Sequence, residues 1–223
     1  MKYLSIFLLA LVGLSSCKKD RDINTEPLLP KVISKDSIKT GQYWGMAIGD
    51  THAQTYAKLA EMKAAKKIVS IGVVGNVFTT LDSLSTRIPL YRAIYLDETT
   101  GTADGVQIGF ANDKVVDIYY NNGVRVNAWP STGAANATVM VGDSSKNLYQ
   151  KFVNIKQISA YSKKFERISL FYKDINKAYD PYTGNSPQWY VVSPEGTNRY
   201  YELLLNFKEG KLAVIHTTLY EQQ

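Results

Sequence analysis

Ile48-Gly49-Asp50-Thr51 recurs as Val141-Gly142-Asp143-Ser144, an offset of 93 residues. At the same offset Tyr56 meets Tyr149, Lys58 meets Lys151 and Leu59 meets Phe152. In each copy a Gly-Asp-Thr/Ser element precedes an apolar-periodic stretch. The acid or hydroxyl side chain there suits the cap of a helix, whose first N–H groups lack partners. Tyr56, Leu59 and Ala60 then share one helix face, as do Tyr149, Phe152 and Val153.

Working outward, a second match lies nearer the end of each copy. Val106-Gln107-Ile108-Gly109-Phe110 corresponds to Leu203-Leu204-Leu205-Asn206-Phe207, and Asn112-Asp113-Lys114-Val115 to Glu209-Gly210-Lys211-Leu212. The offset is now 97 residues (106 to 203), so a surface-loop insertion separates the two matches. Each of these segments reads as strand, tight turn, strand, because Asn-Asp and Glu-Gly tolerate left-handed backbone. Between the matches, Leu81, Leu84 and Ile88 are spaced three and four apart before Pro89. Phe165, Ile168, Tyr172, Ile175 and Tyr179 are spaced similarly before Pro181. Both stretches predict a second helix ended by proline. Lys67–Val74, Tyr91–Leu96 and Trp189–Val192 read as further strands, Val124–Trp129 as an added one, and Lys211–Tyr220 as one long strand or a bent pair.

Each copy therefore predicts helix, helix, then three or four antiparallel strands. The class is α+β, with tandem units at 42–130 and 131–223. Their strands are expected to align into one continuous sheet with the helices on one face. With Gly45-Met46 ahead of Ala47-Ile48-Gly49-Asp50, this layout resembles the repeat of beta-lactamase-inhibitor proteins. It also resembles the repeat of the small outer-membrane lipoprotein of the barrel-assembly machine. That resemblance implies the fold of the repeat. The chain departs from the assembly-machine type after the first helix, where neither copy has its Gly-x-Pro loop.

The N-terminus carries a separate signal. Met1 and Lys2 precede the eleven-residue apolar run Leu4–Leu14, and small Ser15 and Ser16 lead to Cys17. Positive, apolar, small is the order of an export signal, and the run falls short of the roughly 20 residues that a spanning helix needs. Leu14-Ser15-Ser16-Cys17 resembles the lipobox of bacterial lipoproteins. The resemblance implies cleavage after residue 16, lipid on Cys17, and attachment to a membrane. Two or three acyl chains would make that attachment durable, where one is marginal. Lys18 in place of aspartate implies outer-membrane sorting. Cys-Lys-Lys-Asp-Arg-Asp resembles the start of Bacteroidetes lipoproteins, so periplasmic and surface exposure both stay open. Residues 17–41 read as a polar tether, with an ordered stub near Leu28–Ile33 as the competing reading.

Cys17 is the only cysteine, so no internal disulfide is possible and the fold must rest on an ordinary core. A net charge of +6 is mild and spread along the chain, without the basic stripe that nucleic-acid binding requires. His52 and His216 lack metal-ligand spacing, and His52, in a helix's first turn, reads as exposed. No Gly-x-Ser-x-Gly elbow or phosphate loop occurs, and Gly101–Gly105 reads as a hairpin loop. No cofactor, metal or catalytic residue is implied. Carboxylates do gather in loops: Asp97, Glu98, Asp104 and Asp113 in one copy, Glu195, Glu202 and Glu209 in the other. A carboxylate-dependent glycan hydrolase is therefore the second reading, and a structural envelope protein the third.

Binding is the first reading. The chain has sixteen Tyr, seven Phe and three Trp. Neighbouring strand residues point to opposite faces, so one of Tyr119/Tyr120 and one of Tyr200/Tyr201 must turn away from the helices. Tyr119, Tyr120, Tyr182, Trp189, Tyr190, Tyr200 and Tyr201 are the candidate surface. Tyr179–Trp189 is either a recognition loop or a rigid cover over the core. The expected partner is an envelope protein or glycan.

Overall fold

The computed structural model describes residues 29–131 and 133–223. The apolar leader, Cys17 and residues 17–28 of the tether lie outside the described residues. In chain order the described elements begin with β1 (Lys31–Ile38), β2 (Gln42–Tyr43), β3 (Met46–Ala47), α1 (His52–Met62), β4 (Ser70–Val73) and β5 (Val77–Phe78). They continue with β6 (Ala93–Asp97), β7 (Val106–Ala111), β8 (Lys114–Tyr120), β9 (Arg125–Val126), β10 (Ala128–Trp129) and β11 (Val139–Met140). Last come α2 (Leu148–Lys156), β12 (Arg167–Ser169), β13 (Tyr172–Asp174), β14 (Gln188–Glu195), β15 (Arg199–Lys208) and β16 (Lys211–Glu221). No helix among the described residues is long and apolar enough to cross a membrane.

The architecture is α+β, with antiparallel sheets and two short helices. Twelve strands form two six-stranded sheets, ordered β1-β16-β15-β14-β4-β13 and β5-β12-β6-β7-β8-β9, and β2-β3 and β10-β11 form two-stranded ones, where one continuous sheet was expected. Their link is a crossing ribbon. Residues 70–78 run antiparallel to 167–174, with Ile71 opposite Lys173 at one end and Phe78 opposite Ile168 at the other. Midway, Val73 N–H donates to Phe171 O and Leu170 N–H donates to Asn76 O. One end of the ribbon belongs to each sheet. The sheets also touch where Tyr91 bridges Lys173 and Arg92 N–H donates to Tyr172 O.

The ribbon explains a second correction. Neither predicted second helix exists. The 165–179 stretch is β12 and β13 instead, because β-branched and aromatic residues suit a ladder with 70–78. Leu81, Leu84 and Ile88 do enter the core, but on successive turns that end in a 3₁₀ turn at Ile88–Leu90. Consecutive turns bury residues three and four apart just as a helix does. Residues 31–38, read as tether, form an edge strand against β16 whose side chains are almost all exposed.

The paired motifs do build equivalent junctions, but reciprocally. Gly49 N–H donates to Leu212 O, and Leu212 N–H to Asp50 O. Gly142 N–H donates to Val115 O, and Val115 N–H to Asp143 O. Asp50 Oδ2 accepts from Ala47 N–H at 2.8 Å, and Asp143 Oδ2 from Met140 N–H at 2.7 Å. Each Gly-Asp motif thus docks on the hairpin of the other copy. Accordingly, Tyr56 and Leu59 of α1 pack with Trp189, Val191, Leu203, Leu205 and Ile215. Leu148, Phe152 and Ile155 of α2 pack with Ile94, Leu96, Val106, Ile108 and Ile118. Each helix covers the sheet built mostly from the other half of the chain.

The two helix starts differ in one respect. Thr51 and Gln54 form a full capping box on α1. Ser144 only closes a short 3₁₀ turn ahead of α2, through a long bond from Lys146 N–H. Thr51→Ala is expected to cost about 1 kcal/mol, and Ser144→Ala less than about half of that. Urea unfolding midpoints check the difference.

Candidate functional site

Each sheet has one face under a helix and one face free. Cross-strand partners share a face, so the ladder registers assign every strand residue. In the β6–β9 sheet, Tyr95, Gln107, Tyr119 and Arg125 form one free row, and Ala93, Gly109 and Asp117 the next. In the other sheet one free row holds Tyr172, Gly72, Tyr190, Leu204, His216 and Ser37. Beside it run Val192, Glu202, Thr218 and Lys35, then Pro194, Tyr200 and Tyr220.

Of the seven candidate aromatics, Tyr119, Tyr190 and Tyr200 stand on free faces. The other four pack inward. Trp189 is fully buried, and its Nε1–H donates to Thr183 O at 3.3 Å. Tyr201 packs on the same core, edge-on to Trp44 at 5.8 Å. Tyr120 joins the other core, and Tyr182 stacks on Phe78 at 4.6 Å beneath the Arg87 guanidinium. The 179–189 loop is therefore a cover. Its Asp180 is buried, ion-paired to Arg87, and accepts from Tyr91 OH at 2.8 Å. Ser186 and Thr183 are buried too.

Other residues on the free faces carried a weaker signal. Tyr95 sits between core-facing Ile94 and Leu96, an alternation that places it outside. Tyr220 lies opposite Tyr200 and stacks on it, centroids 5.1 Å apart. Tyr172 has helical spacing in the sequence and stands instead on β13. Near the seam the Phe171 ring covers Gly72, whose added Cβ would stand 2.9 Å from it. Tyr172 meets Phe171 edge-on at 4.7 Å.

Hydrogen bonding differs along this surface. Tyr190 OH donates to Glu202 Oε2 at 2.9 Å, and burial with that contact raises the phenol far above its ordinary value. Ser37 Oγ and His216 Nδ1 lie 2.7 Å apart. The Tyr95 phenol is pushed up to about 12, by burial first and then by the nearby Tyr172 and Asp117. Tyr95, Tyr119, Tyr172 and Asp117 have no side-chain hydrogen-bond partner among the described residues. The seam thus combines the exposed Tyr172 ring and the half-buried rings of Tyr95 and Tyr119 with hydroxyls and one carboxylate that lack side-chain partners among the described residues.

His52 is not the exposed residue expected. It is buried, stacks on Phe207 at 3.7 Å, and its Nε2 lies 2.9 Å from Ser186 O. Burial lowers its pKa against the pull of that carbonyl.

Asp97, Glu98, Asp104 and Asp113 are held in structural contacts, Glu202 accepts from Tyr190, and Glu195 and Glu209 are exposed. Asp97 accepts from Glu98 N–H, from Thr102 N–H and Oγ1–H, and from Asn121 Nδ2–H, fixing the 97–105 loop. Lys164 Nζ donates to Asp104 at 2.6 Å, to Thr102 Oγ1 at 3.0 Å and to Glu98 at 3.2 Å. The Lys164 contact keeps the Asp104 carboxyl below its ordinary range, and Lys177 does the same for Asp113. Asp104 and Asp113, so held, remain ionised, which suits loop closure and does not suit proton donation. Among the described residues, no three His, Cys, Asp or Glu side chains are placed to hold a metal.

Set against family models, curated proteins and solved structures, the chain matches none of them.

Proposed function

We propose that this chain is a lipid-anchored extracytoplasmic interaction module. It is tied to the outer membrane through Cys17, and its free sheet faces bind a protein partner or an envelope polymer. The observation that carries the reading is the concentration of tyrosines on the uncovered side. Tyr95, Tyr119, Tyr172, Tyr190, Tyr200 and Tyr220 all stand there on ladder positions, away from both cores. Rigid aromatic rings with a polar tip supply contact area at low entropic cost, and they dominate binding hot spots. The lipobox supports the anchor. Edge strand β1 follows the tether directly, so the tether enters the fold at the border of this surface. In tandem with the anchor, the fold would hold that surface in the envelope.

The test is capture. The full chain, immobilised in detergent, is offered solubilised envelope proteins and purified envelope polysaccharide. Tyr190→Ala with Tyr200→Ala is expected to weaken retention of one of these at least tenfold, while the variant still unfolds in one cooperative transition. Equal retention by wild type and the double variant would sink the reading. Labelling of Cys17 by a fatty-acid analogue, lost in Cys17→Ala, tests the anchor separately.

A further inference from the structure

Asp117 occupies an unusual place on the free face. Its carboxylate lies flat across Gly109 on the neighbouring strand. A Cβ added there would stand 2.2 Å from Asp117 Oδ1 and 2.9 Å from its Cγ. Glycine at 109 is what lets the acid lie down instead of standing into solvent. Ala93 continues the row beyond Gly109, so three small or recumbent residues form a low strip across three strands. Alongside runs the taller row of Tyr95, Gln107 and Tyr119. The result is a shallow seat with a negative floor and an aromatic wall.

The seat's charge is unmatched. Asp117 is half-buried and has no ion-pair or hydrogen-bond partner among the described residues, although the chain as a whole carries +6. Arg125, at the end of the wall row, lies over the Tyr119 ring at 5.8 Å. That contact shows that the row accepts a cation against a tyrosine face. A carboxylate beside half-buried aromatic rings is complementary to an organic cation, through Coulomb attraction and the ring quadrupole together. One carboxylate is too few for a metal ion, and the seat is too open to enclose a small free amine. A cation delivered on a flexible stem from a larger surface fits it.

We propose that the strip Ala93-Gly109-Asp117, walled by Tyr95 and Tyr119, seats a lysine or arginine side chain of a protein partner. This rests on the interaction-module reading and narrows it: the partner is a protein, and it presents a basic residue to this seat. The seat lies on the same uncovered side as Tyr172 and Tyr190, so the basic residue anchors one end of a longer contact.

The full chain in detergent is titrated with a fluorescent tri-lysine peptide, with tri-glutamate and a glucosamine oligomer as comparison probes. Tri-lysine is expected to bind saturably, and Asp117→Asn to weaken it about tenfold or more. Gly109→Ala, which displaces the carboxylate without removing it, is expected to weaken binding as well. Equal binding of tri-lysine by Asp117→Asn overturns the proposal. So does equal binding of tri-glutamate, or binding of the glucosamine oligomer without tri-lysine. The outcomes separate the two readings. If Tyr190→Ala with Tyr200→Ala abolishes envelope capture while Asp117→Asn leaves capture and tri-lysine binding intact, the module stands and the seat falls. If neither substitution changes capture or peptide binding, both fall.

Discussion

Expressed apart, residues 29–130 and 131–223 will each fail to fold, and mixing them will restore a compact complex. The reason is the reciprocal packing. The first fragment would hold α1 without β14, β15 and β16, whose Trp189, Leu203, Leu205 and Ile215 it covers. It would also hold β6, β7 and β8 without α2. Six strand pairings cross the cut: β1 with β16, β4 with β13, β4 with β14, β5 with β12, β6 with β12, and β10 with β11. A sheet without its helix leaves one apolar face in water, at roughly 1.5–3 kcal/mol for each large side chain left exposed. A domain's net stability is only about 5–15 kcal/mol, so each fragment falls below zero. In the mixture both faces are covered again, with a midpoint that depends on concentration. Circular dichroism and size-exclusion chromatography of each fragment and of the equimolar mixture check this. A cooperative unfolding transition from either fragment alone would mean that the units are independent.

That reciprocity was invisible in the chain, and the reason is symmetry. Leu59 and Phe152 are equally suited to either sheet, so the duplicated pattern specifies that each helix covers a sheet without specifying which. The hairpins were legible because their turns are local chemistry. Asn112 and Asp113 take left-handed backbone, φ 51° and 61°, and so do Glu209 and Gly210 at 52° and 74°. Spacing failed where the signal was shared. Leu81, Leu84 and Ile88 have the period of a helix but sit on consecutive turns, while Ile168 and Tyr172 belong to a ribbon whose partners, Phe78 and Gly72, lie 90 (78 to 168) and 100 (72 to 172) residues away. Length and alternation alone do not separate these cases.

The free-face residues were half legible for a similar reason. Adjacent tyrosines divided as strand geometry requires, Tyr119 and Tyr200 outward, Tyr120 and Tyr201 inward. Trp189 and Tyr182 were misplaced because aromatic side chains supply core and surface alike. Asp117 carries no signal in Val115-Val116-Asp117-Ile118, where a bulge beside Gly109 and Phe110 shifts the register and breaks the simple alternation. A buried lysine was the least legible of all. Nothing in Tyr172-Lys173-Asp174 distinguishes it from a solvated strand end.

Replacing that lysine by methionine is expected to stabilise the protein by about 2 kcal/mol at pH 7. Lys173 faces the core on β13, opposite Ile71, and is only 1% exposed. Its Nζ donates to Asp174 O at 2.7 Å and to Tyr56 OH at 3.1 Å, with no carboxylate in ion-pair reach. Burial pushes its pKa down to about 8 from 10.5, against the pull of Asp174 and Asp180, and Lys177 adds to the depression. Holding the proton at pH 7 therefore costs about 3 kcal/mol. Methionine fills a similar volume without the charge, and such replacements of buried charges stabilise by roughly 1–4 kcal/mol. Tyr56 OH keeps its bond to Lys177 O at 2.7 Å, so the substitution leaves that phenol satisfied.

The pH dependence follows with a definite sign. Below about pH 8 the lysine is protonated in both states, and the full cost applies. Between about 8 and 10.5 the unfolded chain binds more protons than the folded one, so wild-type stability rises with pH. Above about 10 the raised Tyr56, Tyr91 and Tyr190 phenols oppose that rise, since their ionisation favours the unfolded chain. Wild type is thus expected to gain stability from pH 7 to about 9.5, and Lys173→Met to gain little over that interval. Urea midpoints at pH 7.0, 8.5 and 9.5 decide it. A flat wild-type profile would show that burial does not depress the lysine, and a methionine variant less stable than wild type at pH 7 would show that the ammonium's contacts outweigh its burial cost.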